Sequence, residues 1–328
     1  MIRGLQTGAS FLKGLDFAIL SEDELYEIHL ATLDVLQNYG VKVFGDEAHE
    51  IFAGSGAAVD SKRNHVKIPP HLVEEAIRTA PASVLLAGRK EAYDLYLQDR
   101  RVGFTNFGIG TQVVDPYSNL PRDATKQDIS NTAKVCDALE HIDIYVSALT
   151  TTESMEKAVA LIEAEASMPF TEKHFMHGGF AGEKETNYFF EMAAAVAGGM
   201  EKLQQRPLVS VIVCPNSPLE LHDHVSETII ACAKAGIPCN VLSMAMAGAS
   251  APVSLAGTLV THNAEVLSGI VLSQLTAPGA PVIYGSSTTT FDLNVATAAV
   301  GAPELGMISA GVAALAKDYQ LPSFVAGG

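Results

Sequence analysis

The sequence predicts an α/β protein: a (β/α)8 barrel of the TIM type, incomplete at its C-terminus, preceded by a small α+β cap. Three observations predict it. Apolar, β-rich runs begin near residues 102, 142, 172, 208, 239, 281 and 322, seven candidate strands. Helical periodicity fills the intervals, in Lys126 to Leu139, Met155 to Ser167, Lys184 to Met200, Leu219 to Ala235, Val253 to Ala277 and Ala302 to Tyr319. Alternation at this pitch means parallel strands with crossover helices, either an open doubly wound sheet or a closed barrel. No GxGxxG follows an early strand and no acidic residue stands at the nucleotide-binding distance, which favours the barrel. The third observation is the last stretch, Leu321 to Gly328, which has the pattern of a buried strand running into two glycines where a βα loop begins. An eighth strand and two further helices, on the order of 60 to 80 residues, are expected to complete the barrel.

The residues before the alternation are irregular. Ser21-Glu22-Asp23-Glu24 is a capping box, and Leu25, Ile28, Leu33, Val35 and Leu36 lie near helical spacing up to Gly40. Val41 to Phe44 is a short strand and Asp46 to Phe52 a helical turn or two. Ala57 to Asp60 and His65 to Ile68 make a hairpin pattern, and Pro69-Pro70 opens a helix through about Ala80. Tyr93 to Leu97 and Val102 to Phe104 read as extended around a polar turn. The expected organisation is a cap over residues 1–100 and a partial barrel over 101–328.

A hydrophobic content of 48% supports a sizeable core. The net charge of −16 argues against nucleic acid or an anionic membrane surface and suits cationic ligands or a basic partner face. Cys136, Cys214, Cys232 and Cys239 form no CxxC pair, the usage of reduced cysteines in the cytoplasm. Met1 to Ser10 lack the features of a signal peptide. Val253 to Ala277 is interrupted by His262, Asn263 and Glu265, so a buried helix is expected rather than a membrane span.

Specific motifs add to this pattern. The runs Gly248-Ala249-Ser250-Ala251-Pro252-Val253-Ser254-Leu255-Ala256-Gly257-Thr258, Asn263-Ala264-Glu265 and Ala277-Pro278-Gly279-Ala280-Pro281-Val282-Ile283-Tyr284-Gly285 closely resemble the trimethylamine methyltransferase family. So do Asp115 to Arg122 and Tyr319 to Gly327, and the resemblance covers essentially the whole chain. It implies a barrel that passes a methyl group from a methylated amine to the Co(I) corrinoid of a cognate corrinoid protein. No cofactor is then bound by this chain itself, and a homo-oligomer is expected. In that family an in-frame amber codon is read as pyrrolysine on a late strand of the trimethylamine enzymes, and relatives acting on quaternary amines carry an ordinary residue there. The resemblance places that position just after Gly328. It implies an inactive amber-truncated form, with a relative acting on glycine betaine, or a non-catalytic fragment, as the alternatives.

Candidate site residues follow from the barrel rule that function collects at carboxyl ends of strands. They are Asn106, Gln112, His177, Met244, Tyr284, Ser286 and, at the following helix start, Glu304. Glu304, Gln112 and His177 are the candidates for catalysis. Asn106, Met244, Tyr284 and Ser286 are the candidates for substrate binding. Glu304 follows Ala302-Pro303, where a carboxylate can meet an ammonium or serve only the helix dipole. Tyr284 is either an aromatic wall for an ammonium or a core residue. Glu265, inside an apolar helix, is expected to be a buried anchor. No metal is expected: His174 and His177 fall on opposite faces of a strand, and no HExxH or Cys/His spacing occurs.

Overall fold

The computed structural model describes residues 18–98, 101–106, 108–151 and 158–327. Contacts group the chain into two units. One comprises Met1–Val84, Gln98–Arg100 and Val213–Gly328, the other Leu85–Leu97 and Arg101–Ile212.

In the first unit the capping box forms as expected. Ser21 Oγ accepts the Glu24 N–H at 3.3 Å and the Glu24 carboxylate accepts the Ser21 N–H at 2.7 Å, starting the helix Glu22–Asp34. Gly40, at φ 80°, ends the following turn, because a left-handed residue there costs a glycine least. The hairpin is present, with Val59 opposite Val66. Its second strand, His65–Lys67, pairs antiparallel with Val41–Val43, whose other side is taken by Glu220–Leu221 in parallel. That short strand displaces the start of the expected helix at 219, so the helix runs Asp223–Ala235.

Three further strands of this unit, Cys239–Ser243, Val282–Ser286 and Ser323–Val325, run parallel in sequence order. The helices Leu255–Thr276 and Pro303–Asp318 cross between them. With 22 residues and a mean hydropathy of 1.3, Leu255–Thr276 has the length and composition to cross a membrane, yet it packs against the helices Glu22–Asp34, Pro70–Thr79 and Asp223–Ala235. Val266, Leu267, Ile270, Val271 and Leu272 are all fully buried there. Each such side chain contributes roughly 1.5–3 kcal/mol, so the apolar run is accounted for by the core.

The second unit repeats the scheme with Ile144–Val146, His174–Gly178 and Val209–Val213, again parallel and in sequence order. Its helices are Lys126–Ala138, Val159–Ser167 and Glu183–Ala197. The start of the helix expected from Met155 lies outside the described residues.

The architecture is α/β of the incomplete (β/α) barrel type, with six barrel-type strands among the described residues where seven are expected. Among the described residues the run expected to begin near 102 forms isolated parallel bridges, Thr105 to Ile144 and Gly110 to Leu149, and no named strand. Between them the side-chain amide of Asn106 takes the place of a peptide group. Its Nδ2 donates to Val146 O at 2.8 Å, and its Oδ1 accepts the Val146 N–H at 3.0 Å.

Candidate active site

In the first unit the carboxyl edge is formed by Ser243, Ser286 and Val325, adjacent in the parallel register. The loops leaving the first two strands pair with one another. Met246 lies opposite Thr289 and Ala247 opposite Thr290, and Thr289–Asp292 then folds back on Thr297–Ala298.

Beneath this edge lies a buried polar network. Glu265, from the long helix, accepts the Ser243 hydroxyl at 2.6 Å, the Ser217 hydroxyl at 2.8 Å and the Leu219 N–H at 3.0 Å. Thr288 donates its hydroxyl to the Ser243 carbonyl at 3.3 Å. Thr288 Oγ1 then accepts from His262 Nδ1 at 3.1 Å, which leaves His262 Nε2 buried with no partner among the described residues. Burial lowers the His262 pKa to about 3, so its imidazole is neutral. Burial also raises the Glu265 carboxyl, against the three hydrogen bonds that favour its ionised form. The expected anchor is thus found, tying the long helix, a strand end and the 217–219 loop together.

The predicted residues sit at different distances from this network. Ser286 is buried within it, its Oγ accepting the Thr288 N–H at 3.1 Å. Met244 follows Ser243 and is half exposed, and Glu304 is exposed in the first turn of Pro303–Asp318. Tyr284 is fully buried on the side of its strand that meets the long helix. Its hydroxyl donates to Asn263 Oδ1 at 2.6 Å, and Asn263 Nδ2 donates to Tyr319 at 2.8 Å. Tyr319 in turn donates to His29 Nδ1 at 2.9 Å, and His29 Nε2 donates to Glu74 at 2.8 Å. That chain of bonds makes Tyr284 a core residue rather than a wall for substrate.

In the second unit the candidates are not brought together. Asn106 supports the strand edge as described above. Gln112 is exposed on the hairpin formed by Gln112–Val114 and Pro121–Asp123, and donates to Asp123 Oδ1 at 3.3 Å. His177 is buried among Phe175, Phe180 and Phe189 and donates from Nε2 to Ala160 O at 2.9 Å. Its Nε2 is also 3.7 Å from Glu163 Oε2. Burial lowers the His177 pKa to about 4, so the imidazole is neutral and the contact is not an ion pair; burial also raises the Glu163 carboxyl. His174, on the opposite face as expected, meets Ser210 Oγ at 2.8 Å. Among the described residues no group of three or more His, Cys, Asp and Glu is placed to hold a metal ion.

Sequence reasoning missed Ser243, His262 and Thr288. The available signal was the cluster His262, Asn263 and Glu265 inside an apolar helix, since buried polar groups require partners. Gly285 marks another close approach: a Cβ there would stand 2.0 Å from Asn240 Oδ1. Gly285→Ala is expected to destabilise the chain by about 1–3 kcal/mol through overpacking, read as a lower denaturation midpoint. An unchanged midpoint would show that Asn240 moves aside freely.

Parallel strands in sequence order with polar groups gathered at their carboxyl ends define a barrel-type scaffold of the kind that enzymes use. The sequence profile described as trimethylamine methyltransferase (MTTB) matches residues 10–328, and the chain belongs to that family. It is 49% identical over 324 residues to trimethylamine methyltransferase MttB of Desulfitobacterium hafniense, covering 99% of this chain and 65% of that protein. It is 46% identical over 325 residues to trimethylamine methyltransferase MttB2 of Methanosarcina mazei, covering 98% and 66%. A glycine betaine methyltransferase of Desulfitobacterium hafniense is 30% identical over 313 residues, covering 95% and 64%. The chain thus spans about two thirds of the length of these relatives. The monomethylamine methyltransferase MtmB of Methanosarcina barkeri shares the fold, with a TM-score of 0.53 and 13% identity over 92% of this chain and 66% of that one. The crystal structure of a hydroxylamine MtmB complex gives a TM-score of 0.54 and 12% identity at the same coverage.

Proposed function

We propose that the whole protein to which this chain belongs is a cytoplasmic methyltransferase that moves a methyl group from trimethylamine to the Co(I) corrinoid of a partner protein. The observation that carries the reading is identity of 49% and 46% to relatives named trimethylamine methyltransferases, against 30% to one named for glycine betaine. The organisation into a cap over 1–100 and a methyltransferase region over 101–328 belongs to the same proposal. In the transfer the carbon–nitrogen bond breaks, its electron pair stays on the departing amine, and the cobalt nucleophile takes the methyl group. The chain's own contribution is a cation-tolerant edge: the buried His262 imidazole is neutral, and Glu304 is exposed in the first turn of the helix Pro303–Asp318. Glu304 is proposed to meet the ammonium.

The test incubates the full-length reading frame with trimethylamine, its corrinoid protein in the Co(I) state and a reductant, and follows methyl-cobalt by absorbance. Transfer from trimethylamine is expected, slowed on the order of 100-fold in Glu304→Gln. Transfer from glycine betaine alone would move the substrate to the quaternary amines, and an unchanged rate in Glu304→Gln would return that carboxylate to the helix dipole. Sequencing past the codon for Gly328 tests the amber expectation. An in-frame amber codon followed by an open frame supports it, and any other codon removes it.

A further inference from the structure

Stability alone does not account for His262. Its imidazole is fully buried, and the bond from Nδ1 to Thr288 Oγ1 at 3.1 Å leaves Nε2 in the interior with no partner among the described residues. A buried polar atom without a partner is a cost to the fold, and an apolar ring of similar shape would avoid it. What the imidazole adds over such a ring is the bond to Thr288.

Thr288 stands at the root of the segment that leads to Glu304. Its hydroxyl reaches the Ser243 carbonyl, which also accepts the Ser287 N–H at 2.9 Å, and its N–H reaches Ser286 Oγ. The chain is thereby fixed as it leaves the strand Val282–Ser286. Thr289 extends the path, donating its N–H to Ala245 O at 3.1 Å and its hydroxyl to Ala299 O at 3.0 Å. Ala299 O also accepts the Ala302 N–H at 3.3 Å, and Ala302 caps the helix Pro303–Asp318. Both threonines are buried, whereas residues 293–297 between these anchors are exposed. A path of hydrogen bonds and backbone therefore runs from His262 to the helix start, and Glu304 lies two residues past its end.

We infer that His262 is a positioning residue for Glu304, acting through Thr288 and Thr289 to fix where that carboxylate stands. The inference rests on the proposed role of Glu304 in methyl transfer. Its test uses the full-length reading frame with His262→Phe, which keeps a ring against Tyr284 and drops the Nδ1 donor. The denaturation midpoint is expected to hold or rise, because an unpartnered polar atom has gone. Amide hydrogen exchange in residues 289–302 is expected to speed up about 10-fold. With trimethylamine and the Co(I) corrinoid protein, kcat is expected to fall about 10-fold and KM to stay within about twofold, the mark of lost orientation rather than lost binding. His262→Asn, which can present an amide N–H toward Thr288, is expected to recover part of that rate. In a Glu304→Gln background His262→Phe is expected to add no further loss, since the two act in series. A lower midpoint with exchange and kcat unchanged overturns the inference and returns His262 to the core. Losses that multiply in the double variant overturn its action through Glu304. If His262→Phe does not fold, Thr288→Val, which removes the hydroxyl at nearly the same volume, carries the same expectations for exchange and kcat. A parent frame that transfers no methyl group removes the functional reading, and exchange in residues 289–302 then decides separately whether His262 fixes the segment.

Discussion

On acidification the chain is expected to unfold between pH 6.5 and about 4. His174 and His177 are buried with pKa values lowered to about 4, and His262 to about 3, from an ordinary 6.5, all by desolvation. The sign follows from proton counting. Below pH 6.5 the unfolded chain binds protons that the folded chain refuses, so stability is fully present above 6.5 and falls as pH drops toward the folded values. Each histidine removes on the order of 3 kcal/mol by pH 4, and three together approach the roughly 5–15 kcal/mol that holds a domain folded. Far-ultraviolet circular dichroism against pH checks this. His177→Phe keeps a ring among Phe175, Phe180 and Phe189 and is expected to lower the proton uptake by one and move the transition to lower pH. A native spectrum persisting unchanged to pH 4 would sink the account.

Glu265→Ala is expected to be the most damaging single substitution at the carboxyl edge, costing about 3–5 kcal/mol. It strands the donors of Ser217, Leu219 and Ser243 in the interior and leaves a cavity in the long helix. Glu265→Gln retains an acceptor and is expected to lose less than half as much. Chemical denaturation of the two variants separates the cases. Equal losses would mean that the carboxyl's volume matters and its hydrogen bonds do not.

Much of the fold was legible because hydrophobic period and capping chemistry act locally. The Ser21–Glu24 box and the hairpin around Asn64 follow from neighbours a few residues apart. The first barrel-type run was misjudged for a reason that no local pattern contains: Asn106 satisfies Val146 across 40 residues with its side chain. The site was less legible. Strand-end position placed Ser286 and Met244 at the carboxyl edge, but whether a side chain faces the helices or the other side depends on register, which put Tyr284 into the chain of bonds through Asn263. The partners of Glu265 come from three segments brought together only by folding, so its burial was foreseeable and its hydrogen bonds were not.

The Asn106 amide also bears on how this protein behaves in a crowded solution. A strand at the rim of a sheet offers unpaired peptide groups to any passing chain, which is how sheets of separate molecules fuse into aggregates. Here Val146 has both its N–H and its carbonyl engaged by one side chain, with Thr105 and Gly110 bridged to either side of it. A side chain, unlike a peptide, cannot propagate a ladder, so at Val146 a passing chain finds no free peptide group to pair with.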